Sequence, residues 1–329
     1  MAHLVDAQPD AGAAGVPLLV VLLGPTASGK TALSLAMAER FGGEIVSCDS
    51  VAVYRDLEIG TAKPTPAERR RVLHHMIDVV SPVEPYSAGE YSRSARAALA
   101  DISARGRVPI VTGGTGLYLR ALIDGLFLGP ERSEPLRDRL RSLTAKRGPG
   151  ALHRVLRRFD PGSAALIHPN DEPKLIRAIE VSMTAGQPMS VAWQQGRERL
   201  KGFRILRIGL EPERKALYAR INQRAEEMFG DGLVAETEKL IAMFGDGCRP
   251  LDSLGYKQAK AVLQGTMTLK EAVASAQQGH RNYAKRQLTW FRREPDVHWL
   301  RGLGSEDKIR EEAFGLVQAA MFGGYYKVY

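Results

Sequence analysis

Residues 24–31, "GPTASGKT", set two glycines, a lysine and a hydroxyl at the spacing G-x-x-x-x-G-K-[ST]. In such a P-loop, backbone N–H groups and a helix N-terminus bind phosphate oxygens, the lysine adds a point charge, and the hydroxyl ligates Mg²⁺. The candidate phosphate-binding residues are therefore Gly24, Pro25, Thr26, Ala27, Ser28, Gly29, Lys30 and Thr31, with Thr31 also the candidate metal ligand. Nothing in the pattern separates ATP or another nucleotide from any other diphosphate. An ordinary ATPase or kinase also needs an acid at the end of a neighbouring strand to hold the metal. The run "VPIVTGGTG" ends in Thr112, Gly113, Gly114 and Thr115, without a carboxylate. Asp49, closing "EIVSCD", is the clearest strand-end acid, and Asp78 is a second. Such an acid can hold a metal, act as a substrate-binding base or cap a turn.

A second pattern lies near the C-terminus in "QQGHRNYAKRQLTWFRRE". At helical spacing Arg281, Lys285 and Arg292 share one face, and Tyr283, Gln287 and Trp290 another. Cations beside aromatic rings suit an RNA surface, where charges meet phosphates and rings stack on bases. An amphipathic helix with inward aromatics and solvated charges has the same pattern.

The elements that must position these residues follow from apolar patterning. "VPLLVVLLG" is a short continuous apolar run ending at the glycine loop, as a buried parallel strand should be. "KTALSLAMAERFGG" reads as the helix after it. "EIVSCD", "MIDVV", "VPIVTGG" and "FRILRIGL" are further strands, separated mostly by helical stretches. Alternation of this kind predicts an α/β domain on a parallel sheet. From about residue 126 to 199 the pattern becomes helical, basic and punctuated by Gly and Pro, with no strand candidate. The expected organisation is an N-terminal tail over 1–16, a P-loop NTPase-like core from 17–125 and 200–329, and an all-helical insertion over 126–199. After residue 210 everything reads as helix up to about residue 293.

A net charge of +9 raises the odds of a polyanionic partner. Two cysteines, Cys48 and Cys248, make neither a disulfide framework nor a zinc site and suit a reducing compartment. The first segment lacks a positive n-region, and no apolar run approaches the ~20 residues of a membrane span. The expected location is the cytoplasm, with no membrane association.

Taken together, "GPTASGKT", "DSVAVYRDLEIGTAKP", "HHMIDVVSP", "YSAGEY", "PIVTGGTGLYLRAL", "IHPNDEPKLIRAIEV", "LGYKQ" and "AKRQLTWFRR" resemble one family, the tRNA dimethylallyltransferases. The matching phrases are spread over residues 17–293, in order. The resemblance implies transfer of a dimethylallyl group from dimethylallyl diphosphate to the exocyclic N6 of the adenosine 3′-adjacent to the anticodon. The P-loop would then hold the prenyl donor's diphosphate, with Mg²⁺ as cofactor. By the resemblance Asp49 is the general base, Thr115 lies at the substrate channel, and Arg137 reaches the same site from the insertion. The implied tRNA contacts are Asp49, Ser50, Val51 and Ala52; Pro173, Lys174, Leu175, Ile176 and Arg177; Gly255, Tyr256 and Lys257; and Arg281, Lys285, Arg286, Gln287, Trp290 and Arg292. The insertion and C-terminal helices would grip the anticodon stem-loop, and the target base would flip outward to reach Asp49. Ala52 stands where many members have Gln, and His280 where Thr is usual. No Cys/His zinc finger follows the core, so the resemblance is to the bacterial type, expected as a monomer. Rival readings are an adenylate isopentenyltransferase acting on free AMP, ADP or ATP, a P-loop small-molecule kinase, and a non-enzymatic RNA-binding module.

Overall fold

The computed structural model describes residues 15–126, 129–130, 132–194 and 198–322, so most of the expected N-terminal tail lies outside the described residues. The chain divides into two compact units, one made of residues up to Ile123 and from Leu200 onward, the other of Asp124–Arg199.

The first unit is an α/β core. In chain order it contains β1 (Leu18–Leu23), α1 (Lys30–Phe41), β2 (Gly43–Cys48), α2 (Pro66–Arg71), β3 (His74–His75), α3 (Ala88–Ala104), β4 (Val108–Gly113) and α4 (Gly116–Ile123). The second unit intervenes with α5 (Glu134–Arg147), α6 (Ala151–Phe159), α7 (Pro161–Leu166), α8 (Glu172–Ala185) and α9 (Met189–Gln194). The core resumes with β5 (Arg204–Leu210), α10 (Arg214–Gly230), α11 (Leu233–Phe244), α12 (Tyr256–Leu263), α13 (Leu269–Phe291), β6 (Val297–Leu300) and α14 (Asp307–Met321).

The strands form one parallel sheet in the order β3-β2-β4-β1-β5-β6. Every residue of β1 is buried, because helices cover both faces. Leu19, Val21 and Leu23 point into a core shared with α3, α4 and α10 to α13, whereas Leu18, Val20 and Leu22 face α1 and α14. That period of two is the reason a continuous apolar run marks a central strand. Truncating such a residue to alanine costs about 2–5 kcal/mol, since the cavity left cannot close.

Two strands differ from expectation. The third lies at His74–His75, just before "MIDVV", where Met76 and Asp78 take positive φ and break the extended path. The sheet also continues past β5 to the short edge strand β6, inside the C-terminal region expected to be helical.

Among its described residues the second unit contains helices and no strand. Leu140, Leu152, Leu156, Leu175, Ile176 and Ile179 form its core. Asp160, fully buried, caps α7 and accepts hydrogen bonds from the N–H and hydroxyl of both Ser163 and Ser190.

Candidate active site

In parallel α/β sheets the ligand crevice lies beyond the carboxyl ends of the strands, where the strand order reverses. Here the chain leaves β1 for β2 and returns to β4, and three loops meet at that edge. The P-loop follows β1, Asp49 follows β2, and Gly114 and Thr115 follow β4. Together with residues 61–64 and side chains of α10 and α13 they enclose a cavity of about 520 Å³.

Within the P-loop Ala27 and Gly29 take left-handed φ of 63° and 89°. Alternating handedness of this kind turns successive N–H groups toward one side, a nest for an anion at the start of α1. The Lys30 ammonium donates to the carbonyl oxygens of Gly24 (2.9 Å) and Pro25 (2.7 Å). Burial, followed by the field of Arg224, pulls the Lys30 pKa down to about 7, against a smaller opposing pull from Asp49. Arg224 makes no ion pair among the described residues, and burial lowers its own pKa too. Arg220 lines the same cavity and bonds Ser305 Oγ at 2.8 Å. Arg220 and Arg224 both face this cavity, Arg224 against the opposing fields of Asp49 and Glu227, and a diphosphate bound there would meet both cations.

Opposite stands Asp49. Its Oδ1 accepts from the N–H groups of Val51 (2.8 Å) and Ala52 (3.2 Å), a turn that fixes the carboxylate plane. Oδ2 has no protein partner among the described residues, and Asp49 lines the cavity. Thr115 supports this turn from behind: its Oγ1 accepts the Ser50 N–H at 3.0 Å, and its own N–H donates to the Cys48 carbonyl at 3.1 Å. Gly113 permits the approach, since a Cβ there would lie 2.1 Å from the Cys48 oxygen.

Donors for a divalent ion are sparse but of the right kind. Thr31 and Asp49 line the cavity, as does Thr112, whose buried hydroxyl has no hydrogen-bond partner. Among the described residues no three His, Cys, Asp or Glu side chains cluster to hold a metal. Mg²⁺ takes oxygen ligands and keeps several waters, so a hydroxyl and a carboxylate beside a diphosphate suit it, whereas a dedicated protein cage would be foreign to it.

Comparisons with known proteins point the same way. The IPP transferase family model matches residues 52–294, and the isopentenyl transferase model matches residues 17–79. The chain belongs to the IPP transferase family. It is 64% identical over 304 residues to the tRNA dimethylallyltransferase of Koribacter versatilis, covering 92% of this chain and 99% of that one. The same-named protein of Solibacter usitatus is 53% identical over 300 residues. A crystal structure of the tRNA isopentenylpyrophosphate transferase of Bacillus halodurans aligns with a TM-score of 0.69 at 38% identity, over 93% of this chain and 97% of that one. A eukaryotic dimethylallyltransferase acting on tRNA aligns with a TM-score of 0.81 at 26% identity, over 94% and 81%.

Two residues weighed for this site, Arg137 and Asp78, are engaged by protein partners. Arg137 is buried in the helical insertion, where its Nε and Nη2 donate to Glu180 at 2.8 and 2.7 Å. Glu180 also accepts from Arg177 and from the Ser133 N–H. These cations hold its pKa down at about 2 although burial pushes the other way. Arg137 is thus held in an ion pair within the insertion. Asp78 has both oxygens engaged by Lys63 and Arg69, which makes it a loop tie.

Among the expected RNA contacts, Ala52, Leu175, Ile176, Gly255, Tyr256 and Gln287 are buried and present no side-chain surface to RNA. Leu175 and Ile176 are the apolar face of α8, and Tyr256 donates from its hydroxyl to Glu236 beneath Gly60. Half-buried Trp290 packs against Gly116 and under the Arg120 guanidinium. Pro173, Lys174, Lys257, Lys285, Arg286 and Arg292 are exposed. Arg292 pairs with Glu211, and Arg281 bonds Asn222 and Gln278.

Sequence reasoning missed Arg220 and Arg224, which sit four apart on α10 and so share one helical face. That spacing, immediately after a strand of the P-loop sheet, was the signal available. It also missed Glu236, whose carboxylate accepts from the Ile59 and Gly60 N–H groups and anchors the 56–64 loop from α11.

Proposed function

We propose that the protein transfers a dimethylallyl group from dimethylallyl diphosphate to N6 of the adenosine 3′-adjacent to the anticodon of tRNA. The observation that carries this reading is the pairing of one free carboxylate oxygen, on Asp49, with an unpaired cation set around the P-loop across one cavity. The diphosphate lies on the loop amides, with Lys30 and Arg224 neutralising charge as the carbon–oxygen bond breaks. The N6 amine attacks the allylic carbon, and Asp49 Oδ2 accepts its proton. General-base help of this kind contributes about 10²–10⁴-fold, and fixed charges at a leaving group add to it without reorganisation. Thr115 positions the turn that bears Asp49. Mg²⁺ would be held by Thr31, with most ligands from the diphosphate and water, and would supply further neutralisation of the leaving group.

For the RNA, Lys285 and Arg286 on α13 and Lys174 on α8 offer exposed charge to phosphates. No helix among the described residues is long and apolar enough to cross a membrane. We place the enzyme in the cytoplasm, as a monomer, with tRNA as its macromolecular partner. The deciding experiment incubates the protein with dimethylallyl diphosphate, Mg²⁺ and unmodified tRNA and identifies nucleosides by mass. A parallel reaction with AMP tests the adenylate-prenylating alternative, and absence of prenylated adenosine in the tRNA reaction overturns the proposal.

A further inference from the structure

Helix α13 was expected to offer Gln287 to RNA, yet this side chain is only 5% exposed and points the other way. Its Oε1 accepts the Thr26 N–H of the P-loop at 2.7 Å. Its Nε2 donates to the Gly114 carbonyl at 3.0 Å, and the Tyr283 hydroxyl donates to the same oxygen at 3.3 Å. Reversing the amide would set Nε2 against an N–H and Oε1 against a carbonyl, so the partners fix its orientation. Gly114 is shaped for the contact, because a Cβ there would lie 2.2 Å from Nε2. Trp290, one turn on, fills the space in front of Gly116, where a Cβ would come within 2.4 Å of the ring.

We propose that Gln287 is a positioning residue for prenyl transfer, the clip that sets the phosphate loop against the loop carrying Thr115. The proposal rests on the prenyl-transfer reading above. A line of bonds runs from the Thr26 N–H through Gln287 to Gly114. The adjoining Thr115 hydroxyl then holds the Ser50 N–H, next to Asp49. The leaving group's cradle and the base are thereby tied to one buried amide. Because the Thr26 N–H is engaged by protein, the diphosphate is left to the later amides of the loop. Buried bonds of this kind are stronger than exposed ones and costly to leave half made. A misplacement of about 1 Å between reacting groups can cost about 10²-fold in rate.

Three variants test the clip. Gln287→Met keeps the volume and removes both bonds. It should lower kcat by about 10²-fold and weaken inorganic pyrophosphate binding, read by calorimetry, by about tenfold. The tRNA Kd should stay within about twofold of wild type, because the side chain lies on the inner face. Gln287→Glu is the sharper probe. As a carboxylate it accepts from Thr26 but repels the Gly114 carbonyl. Protonated, it again both accepts and donates, and burial raises its pKa. Its activity relative to wild type should therefore rise as pH falls, whereas that of Gln287→Met should stay flat. Gly114→Ala displaces the amide from the other side and should be non-additive with Gln287→Met. Wild-type kcat and pyrophosphate affinity in Gln287→Met, or a loss confined to tRNA affinity, would overturn the clip. If wild type itself transfers no prenyl group, the functional reading fails, and pyrophosphate affinity still decides whether Gln287 sets the loop.

Discussion

Arg224 at the donor cavity and Arg137 in the helical insertion are both largely withdrawn from water, yet their surroundings are opposite. Arg137 meets a carboxylate through two nitrogens, and that pairing raises its pKa. Arg224 makes no ion pair among the described residues; burial lowers its pKa against the fields of Asp49 and Glu227, and it depresses that of Lys30 nearby. A paired buried cation is a structural element, and breaking the pair strands its partner. A buried cation without such a contact, beside a second cation, keeps capacity for a further anion. The same contrast divides the carboxylates. Glu180 accepts four hydrogen bonds from three residues, while Asp49 keeps one oxygen open to the cavity. Closed charge belongs to the insertion's core, and open charge to the site.

The largest effect should come from closing the open carboxylate. Asp49→Asn keeps the turn's accepting oxygen but removes the base. Turnover of tRNA should fall by about two to four orders of magnitude, with tRNA affinity kept. Single-turnover assays alongside tRNA binding check this. Unchanged turnover with weaker Mg²⁺ dependence would make Asp49 a metal holder instead.

Next in size is the half-stranding of Glu180. Arg137→Met should cost about 1–3 kcal/mol of stability in denaturant unfolding, because the buried carboxylate then keeps only Arg177 and the Ser133 N–H. Replacing Glu180 by Met as well should recover much of the loss, and pyrophosphate affinity should be unaffected in the double variant. An intact fold with lost pyrophosphate binding in Arg137→Met would return this arginine to the diphosphate, as the family resemblance implied.

How much of this was readable in advance differs by region for a physical reason. The P-loop, Asp49 and the central strands were legible because backbone geometry and burial on both faces force local patterns: glycine spacing, a strand-end acid, unbroken apolar runs. The run "VPLLVVLLG" could be little else. The ion pair of Arg137 was not legible because its partner, Glu180, lies 43 residues away. Gln287 and Tyr256 resemble RNA contacts in one dimension, and only the third shows their amide and hydroxyl turned inward to Thr26 and Glu236. The edge strand β6 has four residues and half-exposed positions, too little pattern to announce a strand. Arg220 and Arg224 gave a usable i, i+4 signal, but on a helix rich in other charges it did not stand out.

The open cations predict a smaller but more specific effect. Arg224→Met should weaken pyrophosphate binding by about 10- to 100-fold, as loss of a charge-assisted contact does, without destabilising the fold. Lys30 gives the matching pH dependence. Burial and Arg224 hold its pKa at about 7, and a bound diphosphate raises it. Above that pH the free enzyme has lost the proton and the complex regains it, so binding takes up a fraction of a proton. Calorimetry of pyrophosphate binding in two buffers of different ionisation enthalpy at about pH 8 should detect it, since linkage requires uptake wherever the bound pKa exceeds the free one. In Arg224→Met the free Lys30 pKa rises, and the uptake at the same pH shrinks.

The smallest effect tests the outer face of α13, where charge is neither closed by a carboxylate nor buried. Arg292 is already paired with Glu211, and Arg281 is bonded to Asn222 and Gln278, so those two have protein partners to lose before they can serve RNA. Among the described residues Lys285 has no such ties, and Arg286 leans over the Tyr283 ring at 5.6 Å. Each phosphate contact displaces a condensed counterion, so removing one contacting cation lowers the salt slope of tRNA affinity by nearly one unit. Lys285→Ala and Arg286→Ala should each show this drop in filter binding over a salt series, while Arg292→Ala shows less. Pyrophosphate affinity should not change in any of them, because the inner face with Gln287 is untouched. If Arg292 proves to be the strong contact and Lys285 the silent one, the Glu211 pair must open on binding, and a ready-made ion pair on this helix would then be a poor guide to which cations meet RNA.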